Sequence, residues 1–244
     1  MTDATGIHLE ILADPEALAR RVANWLLAAA MSKDGIFSVA LSGGSTPRRL
    51  YQYLAEPGYR DRFPWPRMHW FWGDERFVPH EDAQSNYRMA QEALFAHVPV
   101  PPANIHPIPT EGVSPEAAAS AYDRELRSFY GADRFDPARP LFDINLLGLG
   151  EDGHTASLFP GSPALRERDR WVAAGPGPAS DMRITLTYPA LESSAQVAFL
   201  VAGRGKREIL GRFRDGDESL PSVHVRPEGS LYVFADVAAV GEER

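Results

Sequence analysis

The stretch Ile36-Phe37-Ser38-Val39-Ala40-Leu41-Ser42-Gly43-Gly44-Ser45-Thr46-Pro47 decides the fold class. It opens on a short run of β-formers, breaks at two glycines, and passes into a helical pattern that continues through Leu54. Strand, tight turn and helix in immediate succession make half of a βαβ unit. The pattern returns at Met68-His69-Trp70-Phe71-Trp72, which ends in Gly73-Asp74-Glu75-Arg76 and leads to a helix from residue 84 or 85 to 95. It returns again at Phe142-Asp143-Ile144-Asn145-Leu146-Leu147, the most apolar strand, which stops in Gly148-Leu149-Gly150-Glu151-Asp152-Gly153-His154. Upstream, Asp14-Pro15-Glu16 opens a capped amphipathic helix that runs to Met31, after a polar start. Elsewhere the patterns predict a short strand over 105–108 and a helix from Ser114-Pro115-Glu116 to Tyr130. Further strands are expected over 171–174, 183–187, 197–202, 222–225 and 231–234, with a helix over about 206–213.

Strands alternating with helices imply parallel pairing and right-handed crossovers. The expected fold is therefore α/β: an open, mostly parallel, Rossmann-like sheet flanked by helices, with a small mixed subdomain in the last third. The 244 residues suit one large domain or two small ones, and the chain is read as a single domain over 1–244. A composition of 44% hydrophobic and 24% charged residues excludes a largely disordered, collagen-like or coiled-coil chain. No apolar run reaches the roughly 18–20 residues of a membrane span, and neither a span nor a signal peptide is read. Zero cysteines exclude disulfides, a thiolate nucleophile and Cys-ligated metal, and they fit a cytoplasmic setting. The 25 basic and 33 acidic residues leave a net charge of -8, so no nucleic-acid partner is expected and an anionic substrate must be held by local groups.

In open α/β sheets, ligands collect beyond the carboxyl ends of the strands, and three turns lie at such ends. Gly43 and Gly44, with Ser45 and Thr46, combine close backbone approach, hydroxyl donors and a helix start, which suits a phosphate; a plain capped helix start reads equally well. Gly148, Gly150 and Gly153 match a dinucleotide-binding spacing. That reading is rejected, because Glu151 and Asp152 put negative charge where a pyrophosphate would sit, and Pro160 and Pro163 leave little room for the helix it needs. Asp152 and His154, two apart, can face one side of an extended segment. The carboxylate then fixes the imidazole tautomer and the other nitrogen takes a proton from water. Alternatively Asp152 caps the turn and His154 satisfies a carbonyl. Asp74 can bind hydroxyls or handle protons and Arg76 can fork onto an anion, unless Glu75 and Arg76 form a surface salt bridge. Arg183 and Lys206, at a strand start and a strand-to-helix junction, are either solvated charges or the local cations an acidic protein needs. The signatures of α/β-hydrolases, zinc proteases and EF-hands are missing, and no metal is required.

Taken together these stretches resemble the 6-phosphogluconolactonase family, a relative of the glucosamine-6-phosphate deaminases. The resemblance covers residues 41–47, 73–79 with Ser85-Asn86-Tyr87, the long motif over 145–161, 183–187 with Pro189, and Gly203 with Lys206. It implies hydrolysis of 6-phosphoglucono-δ-lactone in the oxidative pentose phosphate pathway, with no metal or organic cofactor and a small-molecule sugar phosphate lactone as sole partner. A monomer is expected. In that reading His154 is the base acting on water, Asp152 orients it, Asp74 is a third catalytic candidate, and amides of both glycine turns stabilise the oxyanion. The phosphate rests on Gly43, Gly44, Ser45 and Thr46, with Arg76, Arg183 and Lys206 as cationic partners. The alternatives are a glucosamine-6-phosphate deaminase and a non-catalytic sugar-phosphate sensor. In the deaminase branch the Asp-Gly-His motif typically leads to a relay glutamate, whose place Phe159 takes here, and tyrosine usually follows the Asp-Glu pair where this chain has Arg76.

Overall fold

The computed structural model describes residues 6–178 and 181–241, so the outermost ends of the expected 1–244 domain lie outside the described residues. In chain order the elements are β1 (Ile7–Leu12), α1 (Pro15–Ser32), β2 (Phe37–Leu41), α2 (Ser45–Ala55), α3 (Pro57–Arg60), β3 (Met68–Trp72), β4 (Asp74–Arg76) and α4 (Asn86–Ala93). They continue with α5 (Pro115–Tyr130), β5 (Phe142–Gly148), β6 (Val172–Pro176), β7 (Met182–Leu186), α6 (Tyr188–Glu192), β8 (Ser194–Val201), α7 (Arg207–Arg214), β9 (Ser230–Asp236) and α8 (Val237–Val240). α1 starts where the sequence signals it: Asp14 accepts the Ala17 N–H at 2.8 Å, Pro15 fills the first turn, and Leu18, Val22 and Leu26 bury one stripe.

Six strands form one sheet in the order β1-β9-β8-β5-β2-β3, and every pair in it is parallel. β2 is buried along its whole length, which is why it reads as a continuous apolar run. From β2 the chain moves outward to β3 on one side, while β5, β8, β9 and β1 lie on the other. The order thus reverses between β2 and β5, and a crevice opens beyond their carboxyl ends. A second, antiparallel sheet, β4-β7-β6, sits beside this crevice. No helix among the described residues is long and apolar enough to cross a membrane.

Four expectations change. The polar start holds an edge strand, β1, which pairs in parallel with β9. Residues 105–108 make only an isolated bridge from Ile105 to Trp70, because Pro107 and Pro109 have no N–H to donate to a ladder. Residues 222–225 are no strand: Pro221–His224 is a 3-10 turn, since β8 and β9 already pair with each other and Ser222 N–H goes to the Gly153 carbonyl at 3.0 Å. The antiparallel strands of the last third, β6 and β7, recruit β4 from the first half, and the final two strands return to the parallel sheet.

Candidate active site

Each turn at the crevice owes its shape to glycine. Gly44 caps α2 at φ +104°, a conformation that side chains disfavour, and so frees the first turn of the helix. The N–H groups of Gly43, Gly44, Ser45 and Thr46 have no acceptor among the described residues. Across the gap, Gly148 ends β5 against Ser42, and a Cβ on Gly150 would overlap the His154 ring. No helix follows Gly153 at once, and the next element is the 3-10 turn Pro163–Arg166, so the glycine spacing serves a hairpin and not a dinucleotide site. The turn is closed by Gly150 N–H to His154 O at 2.8 Å and Gly153 N–H to Gly150 O at 3.0 Å. Those two amides are therefore spent, whereas the Gly43–Thr46 amides stay open among the described residues.

All ten residues singled out from the sequence line one cleft of about 560 Å³, within the few hundred to about 1,000 Å³ typical of small-ligand sites. His154 Nδ1 lies 2.5 Å from Asp152 Oδ1, which also accepts the His154 backbone N–H at 3.1 Å. Partial burial works against ionising Asp152, but the bonds from the His154 N–H and ring outweigh it and hold the carboxyl below its usual range. Nε2 of His154 has no protein partner among the described residues, and the ring rests on Phe159 with centroids 4.5 Å apart. Both sequence readings of Asp152, turn cap and imidazole partner, thus hold at once.

Asp74 is buried, and its Oδ2 accepts from the Ser157 hydroxyl at 2.6 Å. No surface salt bridge joins Glu75 to Arg76. Glu75 is buried instead, and accepts the backbone N–H groups of Arg76 (2.8 Å), Asn86 (2.7 Å) and Tyr87 (2.7 Å) and the Ser85 hydroxyl (3.1 Å). Burial pushes its carboxyl up, these amide donors pull it back, and the Asp74 charge adds to the rise. The three cations differ. Arg183 forks onto Asp181 at 2.8 and 2.7 Å and sits over Phe159; Arg76 donates only to the neutral oxygens of Gln84 and Asn86; Lys206 has no side-chain partner among the described residues. Lys206 follows Gly203 (φ +94°), whose N–H is held at 3.0 and 3.1 Å by the buried carboxylate of Asp236. The sequence patterns gave Ser157, Asn86 and Asp236 no role of their own, and Glu75 only that of a surface salt bridge. Ser85 before Asn86, and Asp236 itself, carry a local sign, that of a helix N-cap.

The profile described as glucosamine-6-phosphate isomerases/6-phosphogluconolactonase matches residues 13–233. The chain belongs to this family. A 6-phosphogluconolactonase of Nostoc sp. is 39% identical over 241 residues, 96% of this chain and 97% of its own. One from Synechocystis sp. is 42% identical over 215 residues, 86% of each chain. The crystal structure of 6-phosphogluconolactonase from Thermotoga maritima superposes with a TM-score of 0.80 at 34% identity, covering 94% of this chain and 99% of that one. Within the glucosamine-6-phosphate isomerase/6-phosphogluconolactonase family, this chain sets the aromatic ring of Phe159 against His154.

Proposed function

We infer that the protein is a 6-phosphogluconolactonase, which hydrolyses 6-phospho-D-glucono-1,5-lactone to 6-phospho-D-gluconate. The observation that carries this is the environment of His154: one nitrogen on Asp152, the ring face on Phe159, and Nε2 free at the cleft. Nε2 takes a proton from a water that attacks the lactone carbonyl carbon. Asp152 stays ionised and supports the imidazolium. As the tetrahedral intermediate collapses, His154 returns that proton to the departing ring oxygen, and the product gains a carboxylate. Open donors at the cleft serve the oxyanion, each contact contributing about 3 kcal/mol to the transition state. The 6-phosphate lies on Gly43, Gly44, Ser45 and Thr46 at the start of α2, where open amides and the helix dipole favour negative charge. Arg76, Arg183 and Lys206 supply the cations, and Asp74, steadied by Ser157, binds sugar hydroxyls. The reading includes one folding unit acting as a monomer in the cytoplasm on a small molecule. In support of the compartment, a chain with zero cysteines suits a reducing one.

Acid release from freshly prepared 6-phosphogluconolactone, measured above spontaneous hydrolysis, tests the reading. The native chain accelerates it and His154→Ala does not. A native rate equal to background refutes the assignment, and ammonia release from glucosamine 6-phosphate would replace it with the deaminase.

A further inference from the structure

Asn86, 2% exposed, sits where three parts of the cleft meet. Its Nδ2 donates to the Asp74 backbone carbonyl at 2.9 Å and faces the Asp74 carboxylate at 3.4 Å, while its Oδ1 accepts from Arg76 Nη1 at 2.6 Å. This assignment of the amide is the one the surroundings allow, because reversing it would set donor against guanidinium and acceptor against two oxygens. The amide also lies against Gly43, where a Cβ would overlap its Oδ1 and Cγ. Its backbone is fixed too, with its N–H on Glu75 at 2.7 Å and Ser85 capping the helix it begins.

Arg76 is aimed by this arrangement without being neutralised. Nη1 is shared between Asn86 Oδ1 and the Gln84 carbonyl at 2.9 Å, both uncharged, and Nε and Nη2 have no partner among the described residues. The guanidinium lines the cleft with its full charge available, on the same side as the glycine turn that Asn86 touches. Resting on the lactonase reading, we propose that Asn86 is a positioning residue: it aims Arg76 at the substrate phosphate, and so sets the preference for phosphorylated over unphosphorylated lactone.

The test compares kcat/KM for 6-phosphogluconolactone with that for glucono-δ-lactone. Asn86→Ala lowers the ratio about tenfold, chiefly through KM for the phosphorylated lactone. In an Arg76→Ala background the same substitution changes the ratio less than about twofold, because no guanidinium is left to aim. Asn86→Asp, which keeps the side-chain volume, covers the case in which the alanine variant does not fold; it also lowers the ratio, by pairing Arg76 with a carboxylate. Equal losses on both lactones, or additive effects in the double variant, overturn the proposal, since a merely structural defect is blind to the phosphate. Calorimetric binding of 6-phosphogluconate and gluconate separates the two readings. A native chain that hydrolyses neither lactone sinks the lactonase reading, whereas a binding preference for the phosphorylated acid that survives Asn86→Ala sinks this one.

Discussion

At His154 the two ring nitrogens have different surroundings, and the difference is made by small neighbours. Asp152 fixes Nδ1 at 2.5 Å, and Gly150 leaves the space the ring occupies. Asp152→Asn keeps the shape but removes the charge that supports the imidazolium, and is expected to lower kcat by about 10²-fold or more with a smaller change in KM. Steady-state kinetics on the fresh lactone would show this, and an unchanged kcat would remove Asp152 from the mechanism. Because Asp152 is held below its ordinary value of 3.8, it keeps its charge as the pH falls through that value, so loss of activity at higher pH does not arise from its protonation. Gly150→Ala pushes a methyl into the ring and is expected to cost at least tenfold in kcat while the chain stays folded, read by kinetics beside circular dichroism. The Asp152 and His154 pair was legible from its spacing at a strand end. The need for glycine at 150, and the contact of Phe159 on the ring, were not, because both depend on how a hairpin folds back on itself.

Between elements, α1 and α2 are tied by Glu16, which accepts from Arg49 at 2.5 and 2.7 Å and from the Tyr53 hydroxyl at 2.6 Å. The Arg49 bonds first, and Tyr53 after them, lower its carboxyl from 4.5 to about 2. A folded-state value below the unfolded one means that Glu16 stabilises the fold above pH 4.5 and that this contribution disappears as the pH falls towards 2. The denaturation midpoint of the native chain should exceed that of Glu16→Gln at pH 6 and match it near pH 2; a gap that does not shrink on acidification would dismiss the pair. α1 and α2 themselves were readable from an Asp cap, a proline at the first turn and a glycine break, all local signals. β1 and the 3-10 turn Pro221–His224 were misread, since whether an alternating segment becomes an edge strand, or a short apolar one a turn, depends on which neighbours still have free backbone groups.

For the whole molecule, the crevice draws on β2, β4, β5, β7 and the turn after β8, so a ligand there joins the parallel sheet to the antiparallel one. Binding only the folded state, 6-phosphogluconate at about 100 times its Kd should stabilise the chain by about 2.7 kcal/mol. A thermal melt would register several degrees, with gluconate at equal concentration giving less, and identical shifts for the two acids would deny the phosphate its place. The amino-acid sequence alone determined the α/β class, because hydrophobic periodicity, caps and glycine turns act over a few residues, and together with the family resemblance it named ten candidates that the fold gathers along one cleft. Tertiary structure alone decided the strand order, the pairing of Arg183 with Asp181, the loss of the Gly150 and Gly153 amides as donors and the central place of Asn86. The strand order and the contacts of Asn86 with Gly43 and Asp74 depend on through-space distances between segments far apart in the chain, while the Arg183–Asp181 pair and the spent amides depend on how a short turn closes on itself, and no local pattern encodes either.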